Sequence, residues 1–96
     1  MNYRLLDAAF AEVSNAAAWY EAQRKGLGAE FVQAVDEAIG QVLVDPESWP
    51  AIDAEFRRCR VHRFPFDVVF NIQKNEVLIF AVAHHHRKPN YWRQGE

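Results

Sequence analysis

Cysteine occurs once in this chain, at Cys59, and glycine and proline only four times each in 96 residues. A single thiol excludes an intrachain disulfide framework and fits a reducing compartment. So little Gly and Pro excludes a fibrous or low-complexity chain. With half its residues hydrophobic, the sequence reads as one folded domain spanning residues 1–96. No apolar run approaches the roughly 20 residues of a membrane span. Neither the basic start nor the long apolar core of a signal peptide is present, so a soluble cytoplasmic protein with no membrane association is expected. A glycine-rich phosphate loop, a serine-nucleophile motif and a dinucleotide fingerprint are all missing, and no cofactor is expected.

The net charge is small, at −2, but the charges are unevenly placed. Residues 1–55 carry three Lys/Arg against ten Asp/Glu, a net −7, whereas residues 56–96 carry eight against three, a net +5. Such asymmetry suits a polyanion or an acidic protein segment as partner of the basic half. The competing explanation is that solvated acids happen to lie on helices and arginines on strands.

Taken in order, Asn2 to Leu6 suits a first strand, and Asp7 suits the N-cap of a helix. Phe10, Val13, Ala17 and Tyr20 follow at helical spacing as its buried face, up to about Arg24. Gly26-Leu27-Gly28 breaks the pattern and makes a helical hairpin. Phe31, Val35, Ala38, Ile39 and Val42 mark the buried face of a second helix, in which Gly40 implies close backbone packing. Asp45-Pro46 and Trp49-Pro50 end that helix. Phe56 to Phe64 alternates as a second strand, with Cys59 and Val61 inward and Arg58, Arg60 and His62 outward. Val68 to Ile72 forms a third strand and Lys74-Asn75 a tight turn. Val77 to Ala83 then reads as a strand buried on both faces. The expectation is an α+β fold, βααβββ, with an antiparallel sheet covered on one face by an N-terminal helical hairpin.

The last strand empties into His84-His85-His86-Arg87-Lys88-Pro89-Asn90-Tyr91-Trp92-Arg93. Strict alternation puts His84 and His86 on one face and His85 on the other. That brings His84, His86 and Arg87 towards the outward row Arg58, Arg60 and His62. Guanidinium groups stabilise a developing phosphorane, an imidazole or phenol moves the proton, and an aromatic stacks on a base. Candidate catalytic residues are therefore Arg87, His84, His86 and Tyr91. Arg58, Arg60, His62, Lys88, Trp92 and Arg93 form the candidate binding set. The plainer alternative is a basic groove that binds without chemistry. Two histidines on one strand face fall short of the three or four ligands zinc needs, with only Glu76 and Glu96 near in sequence, so no metal site is expected. Trp19, Trp49 and Trp92 read as packing residues, with Trp92 folding back to hold the basic segment. Cys59 reads as a small buried hydrophobe.

These residues resemble the RelE/ParE superfamily, toxins of type II toxin-antitoxin modules often labelled plasmid stabilisation proteins. The resemblance rests on Trp19-Tyr20, Gly26-Leu27-Gly28 followed by Phe31, Pro46 and Pro50, and Arg57-Arg58. It continues in Arg63-Phe64-Pro65-Phe66, then His84 to Arg87 with Pro89 and Trp92. It implies a small βααβββ toxin neutralised by a cognate antitoxin. The target would be DNA gyrase, or mRNA on the ribosome, where an endoribonuclease would use strand cations and a C-terminal Arg, His or Tyr. Arg58 and Arg60 fall where the nucleases hold cations, and Arg87 and Tyr91 near their C-terminal Arg and Tyr. Either Tyr91 or His86 would take the proton-transfer position. The second strand carries no lysine, and the overall look is closer to the ParE-like branch. A non-toxic module that only pairs with its antitoxin and helps regulate the operon is the alternative.

Overall fold

A computed structural model of the chain describes residues 1–95; Glu96, one of the acids near the histidine run, lies outside the described residues. Strand β1 (Asn2–Leu5) leads into helix α1 (Asp7–Gln23) and helix α2 (Leu27–Val44). Strands β2 (Arg57–Arg60), β3 (Phe66–Gln73) and β4 (Glu76–His84) follow, and short 3-10 turns occupy Pro46–Ser48 and Tyr91–Gly95. The sheet order is β1-β4-β3-β2. The expected α+β order therefore holds, with the last three strands an antiparallel meander and β1 added in parallel along the outer side of β4. No described helix is long and apolar enough to cross a membrane.

Helix α2 forms as its pattern predicts: Phe31, Val35, Ala38, Ile39 and Val42 are buried while Gln33, Asp36, Glu37 and Gln41 face water. The hairpin ahead of it is held by Glu21, whose carboxylate accepts the Gly26 N–H at 2.9 Å and the Gly28 N–H at 3.0 Å. That side chain satisfies free donors at the start of α2. Gly26 takes the left-handed conformation at φ 89°, whereas Gly28 is needed for proximity. A Cβ on Gly28 would stand 2.6 Å from the Ala17 carbonyl oxygen.

Four local expectations are corrected. Asp7 is the first helical residue, not the cap; Leu6, in extended conformation, precedes it and no side chain caps α1. Phe10 is 64 % exposed because α1 turns Ala9, Val13 and Tyr20, rather than Phe10, onto the core. Gly40 meets nothing within 4 Å of its added Cβ, so no backbone packs against it. Trp19 is 60 % exposed, so it is a surface ring and not a packing residue.

The sheet has two apolar layers. Facing the helices are Cys59, Val61, Phe64, Phe66, Val68, Phe70, Val77, Ile79 and Val82, packed on Phe31 and Ala38. On the far side, Phe56, Val69, Leu78 and Phe80 are covered by Ile52, Tyr91 and Trp92. The second layer is thus roofed by the 50–56 loop and the chain after β4, leaving only one end of that face open.

Between the two layers lies an irregularity with large consequences. Val69 pairs with Ala81 but Phe70 pairs with Ile79, leaving Phe80 as an extra, unopposed residue. A one-residue bulge reverses which side chains face which way. Before it, Val77 and Ile79 face the helices; after it, Val82 does.

Candidate functional site

The open end of the far face is built by β2, β3 and the residues after β4. Register places Arg58 opposite Val69 and Arg60 opposite Asp67, so both arginines alternate away from the buried Cys59. Asp67 gathers this corner. Its carboxylate lies 3.2 Å from His85 Nε2 and 3.9 Å from the Arg58 guanidinium. The four side chains Arg58, Arg60, Asp67 and His85 line a shallow hollow of about 320 Å³. Arg60 makes no ion pair among the described residues, which leaves the hollow a free cation.

Past His84 the chain turns back over the sheet. The Arg87 N–H donates to the His84 carbonyl at 2.9 Å, and Asn90 takes a positive φ of 66° that reverses direction. Trp92 then packs edge-on to Phe56, and Arg93 lies 4.7 Å from the centre of that ring. Arg93 also pairs with Asp53 and, at 3.2 Å, with Glu55. These contacts tie a strap to the 50–56 loop, as the folding-back of Trp92 requires. Arg93 spends its charge there.

The other end of the strap is fixed by Glu12, a residue the sequence reading did not single out. Strand β1 stops pairing at Leu5↔Ile79, so the outer rim of β4 beyond that point has no strand beside it. Helix α1 crosses there instead, and the Glu12 carboxylate accepts the Val82 N–H at 3.0 Å. The same carboxylate accepts the Tyr91 hydroxyl and stands 4.0 Å from Arg87. The Arg87 guanidinium in turn lies over the Tyr91 ring, 3.9 Å from its centre. Burial raises the Glu12 carboxyl above its usual value, against the lowering pull of Tyr91, the Val82 N–H and Arg87. Burial first, and the Glu12 hydrogen bond second, push the Tyr91 phenol well up, so it stays protonated.

The histidines separate by the bulge. His84 lies opposite Phe66 on the helix side, its ring 5.0 Å from both Phe66 and His86. His84 and His86 therefore do share a face, as alternation predicts, but not the face of the arginine row; His85 has that place. Desolvation, with His86 and His85 adding, lowers the His84 pKa, and its neutral Nδ1 accepts the His86 N–H at 3.0 Å. His62 is also displaced from the row. Strand β2 ends at Arg60 rather than running to Phe64, and His62 lines a hollow with Glu30, Glu37 and Arg63 beside α2. Arg63, at φ 73°, bonds Glu30 at 3.1 Å and holds this turn to the helix.

Of the residues singled out in the sequence, Arg58, His84, Arg87, Lys88, Tyr91 and Trp92 line one further hollow of about 200 Å³, together with Asp67 and His85. Sequence reasoning missed Asp67 and His85 as members of this hollow, and Glu12 as the group that anchors Tyr91 beside it. Among the described residues, no three His, Cys, Asp or Glu side chains converge to hold a metal. Cys59 is buried, and burial pushes its thiol up to about 11, with Asp67 adding.

Fold and site together define a small α+β protein in which a helical hairpin backs a four-stranded sheet and a strapped-down, cation-rich corner lies at the open end of its far face. The family model described as ParE toxin of type II toxin-antitoxin system, parDE, matches residues 3–89, and the chain belongs to that family. It is thus a RelE/ParE-superfamily toxin, whose partner is a cognate antitoxin. Among solved structures, one described as the chromosomal ParDE TA system from P. aeruginosa is similar at TM-score 0.65 and 19 % identity. The match covers 88 % of this chain and 95 % of that one and shows a shared fold. A comparison with curated proteins finds no match.

Proposed function

We propose that the toxin acts by occupying its target with the cationic corner, not by cutting RNA, and that the target is DNA gyrase. One observation carries this reading. The Tyr91 hydroxyl is engaged by Glu12 and held protonated, while the Arg87 guanidinium lies over the Tyr91 ring. A general acid or base needs a pKa near the working pH and a proton free to move. Tyr91 has neither, and His84 is a neutral acceptor facing the other way. Exposed at the corner are the charges Arg58, Arg60, Lys88 and Arg87, which suit binding, with His85 beside them.

A second reading is favoured by one feature. His85 and Asp67 are paired at 3.2 Å beside Arg58, an imidazole–carboxylate couple next to a guanidinium. In a ribosome-dependent endoribonuclease His85, not His84 or His86, would move the proton and Arg58 with Arg60 would hold the phosphate. Purified toxin tested on gyrase supercoiling and on mRNA during translation separates the two. Inhibition at stoichiometric toxin with intact message, lost in Arg58→Glu/Arg60→Glu, is the expected result. Cleaved message that His85→Ala abolishes, with gyrase unaffected, would replace the first reading by the second. Harmless expression without antitoxin, and no effect in either assay, would leave the antitoxin-pairing module.

A further inference from the structure

The two hollows at the corner share Arg58, Asp67 and His85, and so make one groove. Its outer part, about 320 Å³, starts at Arg60 on β2; its inner part, about 200 Å³, reaches Arg87 and Lys88 on the chain after β4. Four cations thus line the groove against one carboxylate, Asp67, and all four are exposed. Arg58 and Arg60 alternate onto one face of β2, which sets them roughly 7 Å apart along the strand. Three of the four are guanidiniums, whose planar forks match phosphate oxygens two at a time.

Apolar anchors are missing from the groove among the described residues. The large apolar side chains that stand exposed, Met1, Tyr3, Phe10, Trp19, Val32 and Val44, all lie outside it, and Val69 and Ala83 within it are buried. A tight protein interface draws most of its energy from large side chains buried at its centre. A protein–DNA interface is more polar and strongly positive, and the backbone phosphates supply much of its affinity. The aromatics of the groove are already committed to the fold: Arg87 lies over the Tyr91 ring, and Trp92 packs edge-on to Phe56 and Tyr91. A single strand would need such rings free to stack its bases, so a duplex fits the groove better.

We propose that this groove holds backbone phosphates of duplex DNA, without regard to sequence. Arg58 and Arg60 grip the backbone at the outer part and Arg87 and Lys88 at the inner part, while Asp67 keeps Arg58 and His85 in place between them. The proposal rests on the gyrase reading and deepens it. Through this corner the toxin meets the DNA that gyrase holds, rather than an acidic patch of the enzyme.

The test is fluorescence anisotropy of purified toxin with two labelled duplexes of unrelated sequence, run beside a gyrase supercoiling assay. Both duplexes are expected to bind alike, and wild-type affinity to fall about 40-fold between about 50 and 200 mM salt, as about three neutralised phosphates require. Arg58→Gln/Arg60→Gln removes about two of these contacts, so the same change of salt is expected to cost only about three- to fourfold. Arg4→Gln, in β1 on the opposite edge of the sheet, neutralises no phosphate and is expected to stay within about twofold of wild type. Thermal melts check that the variants remain folded. Failure to bind either duplex at low salt, an unchanged salt dependence in the double variant, or a preference of about tenfold for one sequence would overturn the groove. Gyrase inhibition without DNA binding by the toxin would also overturn it, leaving the gyrase reading in place with the contact on the enzyme's own acidic side chains. DNA binding of the expected kind with supercoiling unaffected would remove gyrase and uphold the groove.

Discussion

Replacing Glu12 probes the strap, because one carboxylate joins α1, the free rim of β4 and Tyr91. In Glu12→Ala the Val82 N–H and the Tyr91 hydroxyl both lose their acceptor. A buried donor left unpaired costs about 1–3 kcal/mol. Part of that is returned, because a carboxylate whose pKa is raised by burial sits less comfortably in the fold than in water. The net expectation is a loss of about 2–3 kcal/mol, or roughly 8–24 °C in melting temperature for a domain of this size. Glu12→Gln keeps the shape, retains one acceptor and removes the buried charge, so it is expected to stay within about 1 kcal/mol of wild type. Urea denaturation followed by circular dichroism measures the gap. Equal losses in the two variants would show that the carboxylate does not hold these donors.

The pH dependence has a definite sign. A carboxyl raised in the fold keeps its proton where the unfolded chain has already released it. Between the ordinary carboxylate value of 4.5 and the raised value, the folded state binds more protons, and stability falls as pH increases. Tyr91 and Arg87 face the group from the strap, and the Val82 N–H from β4. Only Glu12 titrates in that window among them. Wild-type stability measured relative to Glu12→Gln is therefore expected to decline through this window and then level off. A difference that rises with pH there would refute the assigned burial.

The two glycines of α2 are expected to respond with opposite sign. Gly28→Ala pushes a Cβ against the Ala17 carbonyl and is expected to cost about 1–3 kcal/mol, whereas Gly40→Ala meets open space and is expected to gain about 0.5–1 kcal/mol. Denaturant midpoints decide, and a stabilising Gly28→Ala would mean that the helices are not in contact there. Cys59, with its thiol pushed up to about 11 and its side chain in the core, is expected to resist Ellman's reagent at pH 8 until denaturant is added. Immediate labelling of native protein would contradict that burial.

Local rules carried the sequence reading where structure is local. The buried row of α2 needs only a 3.6-residue period, and the Lys74-Asn75 turn needs only residues that tolerate φ of 48° and 62°. The arginines of β2 were legible for the same reason: Cys59 between them is apolar and goes inward. Glu12 was not, because its partners Val82 and Tyr91 lie 70 and 79 residues away. Within α1 nothing distinguishes it from a solvated acid. Trp19 misled in the opposite direction, since a large ring near a helix end suggests a core, whereas here it stands 60 % exposed.

The histidine run shows how one backbone irregularity redirects a whole site. Strict alternation from Val77 and Ile79, which face the helices, would send Ala81, Ala83 and His85 to the helix side and His84 to the arginines. The bulge at Phe80 inserts one residue, and from Val82 onward the assignment is reversed. His84 then lies beside Phe66, while His85 reaches Asp67 and Arg58. Nothing in an unbroken apolar run reveals which residue is the extra one, because every member suits either face of a sheet buried on both sides. The bulge lies at the level where β1 stops and α1 takes over the rim through Glu12, so strand ending, face reversal and strap anchoring meet within four residues of β4. Any target or antitoxin that engages His85, Arg87 or Tyr91 therefore engages groups whose directions are set by the backbone at Phe80.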